Sequence, residues 1–251
     1  MSIIFLLLFL LCCNTPVLST KNSDESALLK IKKQLGDPPF LSSWVKGFNF
    51  CDAAFRTSSV PDETSVSGRV PHFYNNSNLD VIVLARNNLS HSIPPSLSTL
   101  PILTYLNLSS NHLTGTIPKS LVNVWGIDVG NNQLHGDASF LFGNQSKVGV
   151  IILANNSFKF DLSYVEFTDN LYEVDISHNK IYGKVPSSFA TAFGLAYANL
   201  SFNRLCGELP QGGIMGRFSA AVFANNRCLC GYPLPPCSNS SPAPAPALPP
   251  A

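Results

Sequence analysis

The sequence predicts an α/β solenoid: stacked coils with a concave parallel β-sheet, an irregular or 3-10 convex side, a helical N-terminal cap and a disulfide-bonded C-terminal cap. Three observations predict it. One pattern of apolar residues and asparagine recurs six times at near-constant spacing, and four of the seven cysteines crowd the C-terminal end. Charged residues make up only 12% of the 251 residues while hydrophobic ones reach 45%, so a large core is buried and the polar surface is built from uncharged groups.

The elements follow in chain order. Residues 1–20 read as a secretory signal peptide: Met1 to Leu11 is apolar but for Ser2, and Val17, Ser19 and Thr20 bring small residues near a cleavage site. The run is too short to cross a bilayer, and no later stretch approaches the roughly 20 apolar residues that a span needs, so no membrane span is expected in the mature chain. Residues 21–56 form the N-terminal cap, in which Asp24 N-caps a helix presenting Leu28, Ile31 and Leu35 and ending at Gly36.

Residues 57–205 hold the repeats. The copies are Leu79/Ile82/Leu84/Asn87/Leu89, Leu103/Leu106/Leu108/Asn111/Leu113, Val124/Ile127/Val129/Asn132/Leu134, Val148/Ile151/Leu153/Asn156/Phe158, Leu171/Val174/Ile176/Asn179/Ile181 and Leu195/Ala198/Leu200/Asn203/Leu205. Successive asparagines stand 24, 21, 24, 23 and 24 residues apart, the signature of the leucine-rich repeat. Each apolar-x-apolar centre makes a short strand that pairs in parallel with the next coil, and each asparagine turns inward to bond backbone groups of adjacent coils. Val66, Gly68, Val70 and Pro71 carry the second half of a degenerate first copy. His91 and Phe160 replace a glycine found in the other copies, and the convex side is expected to be irregular between about residues 136 and 161.

Cys12 and Cys13 leave with the signal. In an oxidising compartment the last four cysteines read as two disulfides, Cys206 with Cys228 and Cys230 with Cys237, closing a C-terminal cap over residues 206–237 and leaving Cys51 as a free thiol. Residues 238–251, rich in proline and alanine, read as an extended tail.

The Leu-x-Gly-x-Ile-Pro variant resembles the extracellular repeats of plants. Residues 27–44 (ALLKIKKQLGDPPFLSSW), 158–167 (FKFDLSYVEF), 178–186 (HNKIYGKVP) and the NRLCGELP and NRCLCGYPLPPC elements resemble the polygalacturonase-inhibiting protein family. The resemblance implies a glycosylated protein of the plant apoplast or cell wall. Its expected partner is a microbial polygalacturonase, fungal or insect, held on the concave sheet, with pectin as a second partner. The family's arrays are longer, and its N-terminal cap is disulfide-bonded where this chain offers only Cys51. The alternative is an apoplastic adaptor, or a developmental ligand- or pectin-binding wall protein, that keeps the scaffold without inhibiting.

On the concave face the expected partner contacts are Tyr105, Ser109, Asp128, Val150, Ile152, Glu173, Asp175, Tyr197 and Phe202. An enzyme that digests a polyanion presents basic groups in its cleft, which the three carboxylates complement. Sequons at Asn75, Asn88, Asn107, Asn144, Asn155, Asn199 and Asn239 are the expected glycan sites. A net charge of +1 argues against nucleic acid as a partner. His72, His91, His112, His135 and His178 accompany no nucleophile motif, metal-ligand pair or phosphate loop, so no catalytic residue, metal or cofactor is expected.

Overall fold

The computed structural model describes residues 67–73 and 80–237, together with Lys33. The signal peptide, the helical cap, the tail, Cys51, Leu79, Asn75 and Asn239 lie outside these residues. In chain order the strands are β1 (Ser67–Arg69), β2 (Val81–Val83), β3 (Asn88–His91), β4 (Tyr105–Asn107), β5 (His112–Gly115), β6 (Gly126–Asp128) and β7 (Gln133–Gly136). There follow β8 (Val150–Ile152), β9 (Ser157–Phe158), β10 (Glu173–Asp175), β11 (Tyr182–Gly183), β12 (Tyr197–Asn199), β13 (Arg204–Glu208) and β14 (Cys228–Cys230).

Strands β2, β4, β6, β8, β10 and β12 form one parallel sheet in that spatial order, each coil in register with the next. Its inward residues, Ile82, Leu106, Ile127, Ile151, Val174 and Ala198, are all buried, as the apolar-x-apolar spacing requires. Single turns of 3-10 helix fill the convex side at Pro95–Thr99, Lys119–Asn123, Ser139–Leu141 and Leu162–Tyr164. One α-helical turn, α1 (Ser188–Thr191), replaces them in the next coil. Behind the sheet runs a chain of buried rings: Phe142 lies 5.3 Å from Phe167, Phe167 lies 5.1 Å from Phe189, and Phe189 lies 5.4 and 5.7 Å from Phe218 and Phe223.

The asparagine ladder has one geometry throughout. Asn111 Nδ2 donates to the carbonyls of Leu108 and Ser109 in its own coil and Leu84 in the preceding one, while its Oδ1 accepts the Leu89 N–H. Asn132, Asn156, Asn179 and Asn203 repeat this pattern. So does Asn226, which donates to Leu200 O and accepts from Leu205 N, making the C-terminal cap begin as one more coil. Disulfides join Cys206 to Cys228 and Cys230 to Cys237, the first across paired residues of β13 and β14.

Two features exceed the sequence reading. Immediately before each ladder asparagine the chain adopts a left-handed conformation, with φ of 53–57° at Arg86, Ser110, Asn131, Asn155, His178, Phe202 and Asn225. Beside the concave sheet lies a second parallel arrangement, β1-β3-β5-β7-β9 followed by β11-β13-β14. Three of its strands end where Gly115, Gly136 and Gly183 take positive φ, Gly207 does so one residue before the end of β13, and His91 adopts φ 69° at the end of β3. Phe160 does not. Its ring is buried instead against Phe142, 6.2 Å away, and the flanking ladder there shrinks to the Asp161–Tyr182 bridge and bonds from Lys180 N–H to Phe158 O and Tyr182 N–H to Phe160 O.

Candidate functional site

Strand register sorts the outward residues of the concave sheet into rows. The first runs Val81, Tyr105, Gly126, Val150, Glu173, Tyr197; the second runs Val83, Asn107, Asp128, Ile152, Asp175, Asn199. Every polar residue of the second row turns its Oδ1 back to the chain. Asn107 accepts from Ser109 N–H and Oγ, Asp128 from Gly130 N–H, Asp175 from Ser177 N–H and Oγ, and Asn199 from Ser201 N–H and Oγ, at 2.6–3.2 Å. Each side chain is therefore held by its own coil, and Asp175 Oδ2 also accepts from Asn199 Nδ2 of the next coil at 3.5 Å.

Asp128 and Asp175 flank Ile152 at two strand spacings, about 9.6 Å. With Glu173 they make the centre of the face acidic. Burial pushes the Asp128 carboxyl above its ordinary range, against the opposing Gly130 bond, and the Asp175 charge adds to the rise. Burial likewise raises the Tyr105 and Tyr197 hydroxyls, helped by Asp128 at the first and by Asp175 and Glu173 at the second.

Of the expected contacts, Tyr105, Ser109, Asp128, Ile152, Glu173 and Asp175 are half-buried in these rows or just beyond them, and Tyr197 and Phe202 are exposed. Val150 is a correction: it is only 6% exposed. The Tyr105 ring fills the space above Gly126, where a Cβ would come within 2.8 Å of its Cε2 and 3.5 Å of Val150 Cβ. Phe202, 46% exposed, holds its left-handed backbone without glycine's freedom and stacks on His178.

The sequons occupy different faces. Asn88 lies on the flanking sheet, Asn107 and Asn199 in the second concave row, and Asn155 beside the strands, bonded to Asn131 Oδ1 at 3.0 Å. Asn144 is exposed and donates to Glu166 Oε2 at 3.1 Å. Among the described residues no group of three or more His, Cys, Asp or Glu side chains could hold a metal, and no helix is long and apolar enough to cross a membrane.

The sequence reading missed the rim at the start of the strands, where Trp125, Tyr172 and Phe193 are 52, 55 and 60% exposed. The signal was present. Trp125 lies between the core positions Val124 and Ile127, and Tyr172 between Leu171 and Val174, where the repeat leaves two outward residues rather than one.

Comparison with known proteins agrees with this architecture. The Leucine rich repeat family matches residues 69–113, 103–124 and 170–192, and the Leucine rich repeat N-terminal domain matches residues 21–55. A plant ice-binding protein of known structure is 29% identical with a TM-score of 0.62, over 88% of this chain and 99% of that one. Leucine-rich repeat protein FLOR 1 of Arabidopsis thaliana is 31% identical over 94% of this chain and 98% of its own length. Polygalacturonase inhibitor 2 of Arabidopsis thaliana is 32% identical over 93% of this chain and 98% of its own length. That alignment runs over 324 positions, whereas 93% of 251 residues is about 233, so about 91 positions of the relative face gaps, close to four coils of 24 residues. With both the repeat pattern and nearly the full length of such a relative matched, the chain belongs to the polygalacturonase-inhibitor family of leucine-rich repeat proteins.

Proposed function

We propose that this chain is a secreted, non-enzymatic binding protein that inhibits microbial polygalacturonases, fungal or insect, through its concave face, protecting wall pectin in the plant apoplast. Full-length kinship with a named polygalacturonase inhibitor carries the reading. The locked carboxylates Asp128 and Asp175 of the second row, with Glu173 in the first row beside them, support it as the complement of a basic cleft. The test is titration of the purified secreted chain into reducing-sugar assays of several fungal and insect polygalacturonases, with a plant enzyme as control. Saturable inhibition of at least one microbial enzyme is the expected result. Inhibition of none by a folded protein would refute it.

A second reading, an apoplastic adaptor or developmental ligand- or pectin-binding wall protein, is favoured by the equally extensive match to FLOR 1. It predicts retention on a plant ectodomain or on immobilised pectin without loss of polygalacturonase activity. The concave rows mix tyrosine, glycine, valine and carboxylate rather than repeating one side-chain type, so they offer no lattice for a periodic ligand such as ice.

A further inference from the structure

The concave sheet is small for the task proposed. Six strands about 4.8 Å apart, counted about five residues deep at about 3.3 Å each, present a flat area of roughly 400 Å². A stable protein interface uses about 800 Å² on each partner. The shortfall has to be met by surface continuous with the sheet.

The rim at the strand starts is such a surface. Backbone pairing extends one residue beyond the strands there: Gly149 N–H donates to Trp125 O at 2.6 Å, Tyr172 N–H to Gly149 O at 2.7 Å, and Ala196 N–H to Tyr172 O at 2.8 Å. Trp125, Gly149, Tyr172 and Ala196 therefore form a further row beside Gly126, Val150, Glu173 and Tyr197. Gly149 has no room for a side chain, because a Cβ would stand 2.9 Å from Trp125 Nε1 and 3.0 Å from Asn170 O; the indole lies down on it. Phe193 is fixed as well. Its N–H donates to Asp169 Oδ1 at 2.8 Å and its carbonyl accepts from Arg217 Nη1 at 3.1 Å.

Trp125, Tyr172 and Phe193 are each more than half exposed. An aromatic side chain buries about 150–250 Å² in full, so the three offer roughly 300 Å² of new apolar contact on a fixed backbone. Glu173 follows Tyr172 directly, and Asp175 lies two residues on, so the apolar rim and the acidic rows form one surface. None of the described sequon asparagines lies in the rim row itself, while Asn107 and Asn199 stand in the second concave row.

We infer that Trp125, Tyr172 and Phe193 form the apolar half of the docking surface, which a polygalacturonase partner covers with an apolar lip bordering its basic cleft. This rests on the inhibitor reading. Because area and charge complementarity both point to a protein, the rim takes the enzyme surface rather than a sugar chain.

The test uses the full secreted chain, Tyr172→Ala with Phe193→Ala, and a polygalacturonase that the parent inhibits. Trp125 stays, because it packs on Gly149. Tyr172→Thr gives a second variant, since it completes an Asn170-Leu171-Thr sequon and places a glycan on the rim. Thermal unfolding of both should match the parent. Inhibition constants at least about 30-fold weaker in the double variant, and weaker still in the glycosylated one, are expected. Inhibition within about threefold of the parent in both variants would overturn the rim while leaving the inhibitor reading intact. A parent that inhibits no microbial polygalacturonase would overturn both. Saturable binding of cellohexaose by the parent, lost in the double variant whose inhibition is unchanged, would overturn the protein assignment in favour of a neutral wall glycan.

Discussion

The His178 imidazole lies flat on the Phe202 ring, with centroids 4.0 Å apart and planes 12° from parallel. Both residues stand in left-handed conformations, φ 53°, at the same place in consecutive coils. Phe202→Gly removes the stack, worth about 1 kcal/mol, and relieves left-handed strain of about 1–2 kcal/mol. Stability by urea denaturation should therefore stay within about 1 kcal/mol of the parent, while inhibition should weaken at least about tenfold. Unchanged inhibition would remove Phe202 from the docking surface.

Charge reversal at Asp128 and Asp175 tests the acidic centre. Their side chains are anchored through Oδ1, so they meet a partner's cations with little ordering cost. Asp128→Lys with Asp175→Lys should weaken inhibition by at least about a hundredfold and flatten its dependence on salt. Inhibition that retained both its strength and its salt dependence would exclude the electrostatic component.

Asp128 also shapes the acid response. Burial raises its native carboxyl above the ordinary value of 3.8, so the folded protein holds this proton more tightly than the unfolded chain. Its contribution is fully present below that unfolded value and is lost as pH rises through the native one. Asp128→Asn removes the titration yet keeps an acceptor for Gly130 N–H, as Asn107 and Asn199 do for Ser109 and Ser201. Denaturation from pH 3 to 7 should show the variant gaining on the parent as pH rises and then levelling; parallel curves would contradict the burial argument.

The ladder predicts a larger effect. Asn111→Ala strips partners from Leu89 N–H and from the carbonyls of Leu84, Leu108 and Ser109, and should cost about 3 kcal/mol by urea midpoint at unchanged slope. Asn111→Asp keeps the acceptor but sets a carboxylate against three carbonyls, and should cost at least as much. A cost below about 1 kcal/mol in both would mean that water replaces the amide.

The core coils were legible because burial imposes a period: positions such as Leu106, Leu108 and Asn111 recur wherever a coil must close. Asn226 escaped because Cys228 stands where earlier copies have leucine, isoleucine or phenylalanine two residues after the asparagine. The flanking strands escaped because His112–Gly115 alternates polar residues around a single buried leucine and ends in a turn residue, a pattern shared with loops. Exposure on the concave face was harder still. Val150 is buried at an outward position of its strand, beside Gly126 and the Tyr105 ring that lies over it, a relation between three coils that no single repeat encodes.

From Asn111 onward each ladder asparagine bonds, beyond its own coil, into the coil before it, and each such coil presents its neighbour with the same acceptors and donors. Such a stack behaves like a one-dimensional crystal, in which whole lattice planes can be excised and the cut faces rejoined without a mismatch. The roughly 91 positions by which this chain falls short of its relative match in size what about four such excisions would remove. What they change is the span between the two ends, and with it the breadth of target that one molecule can straddle.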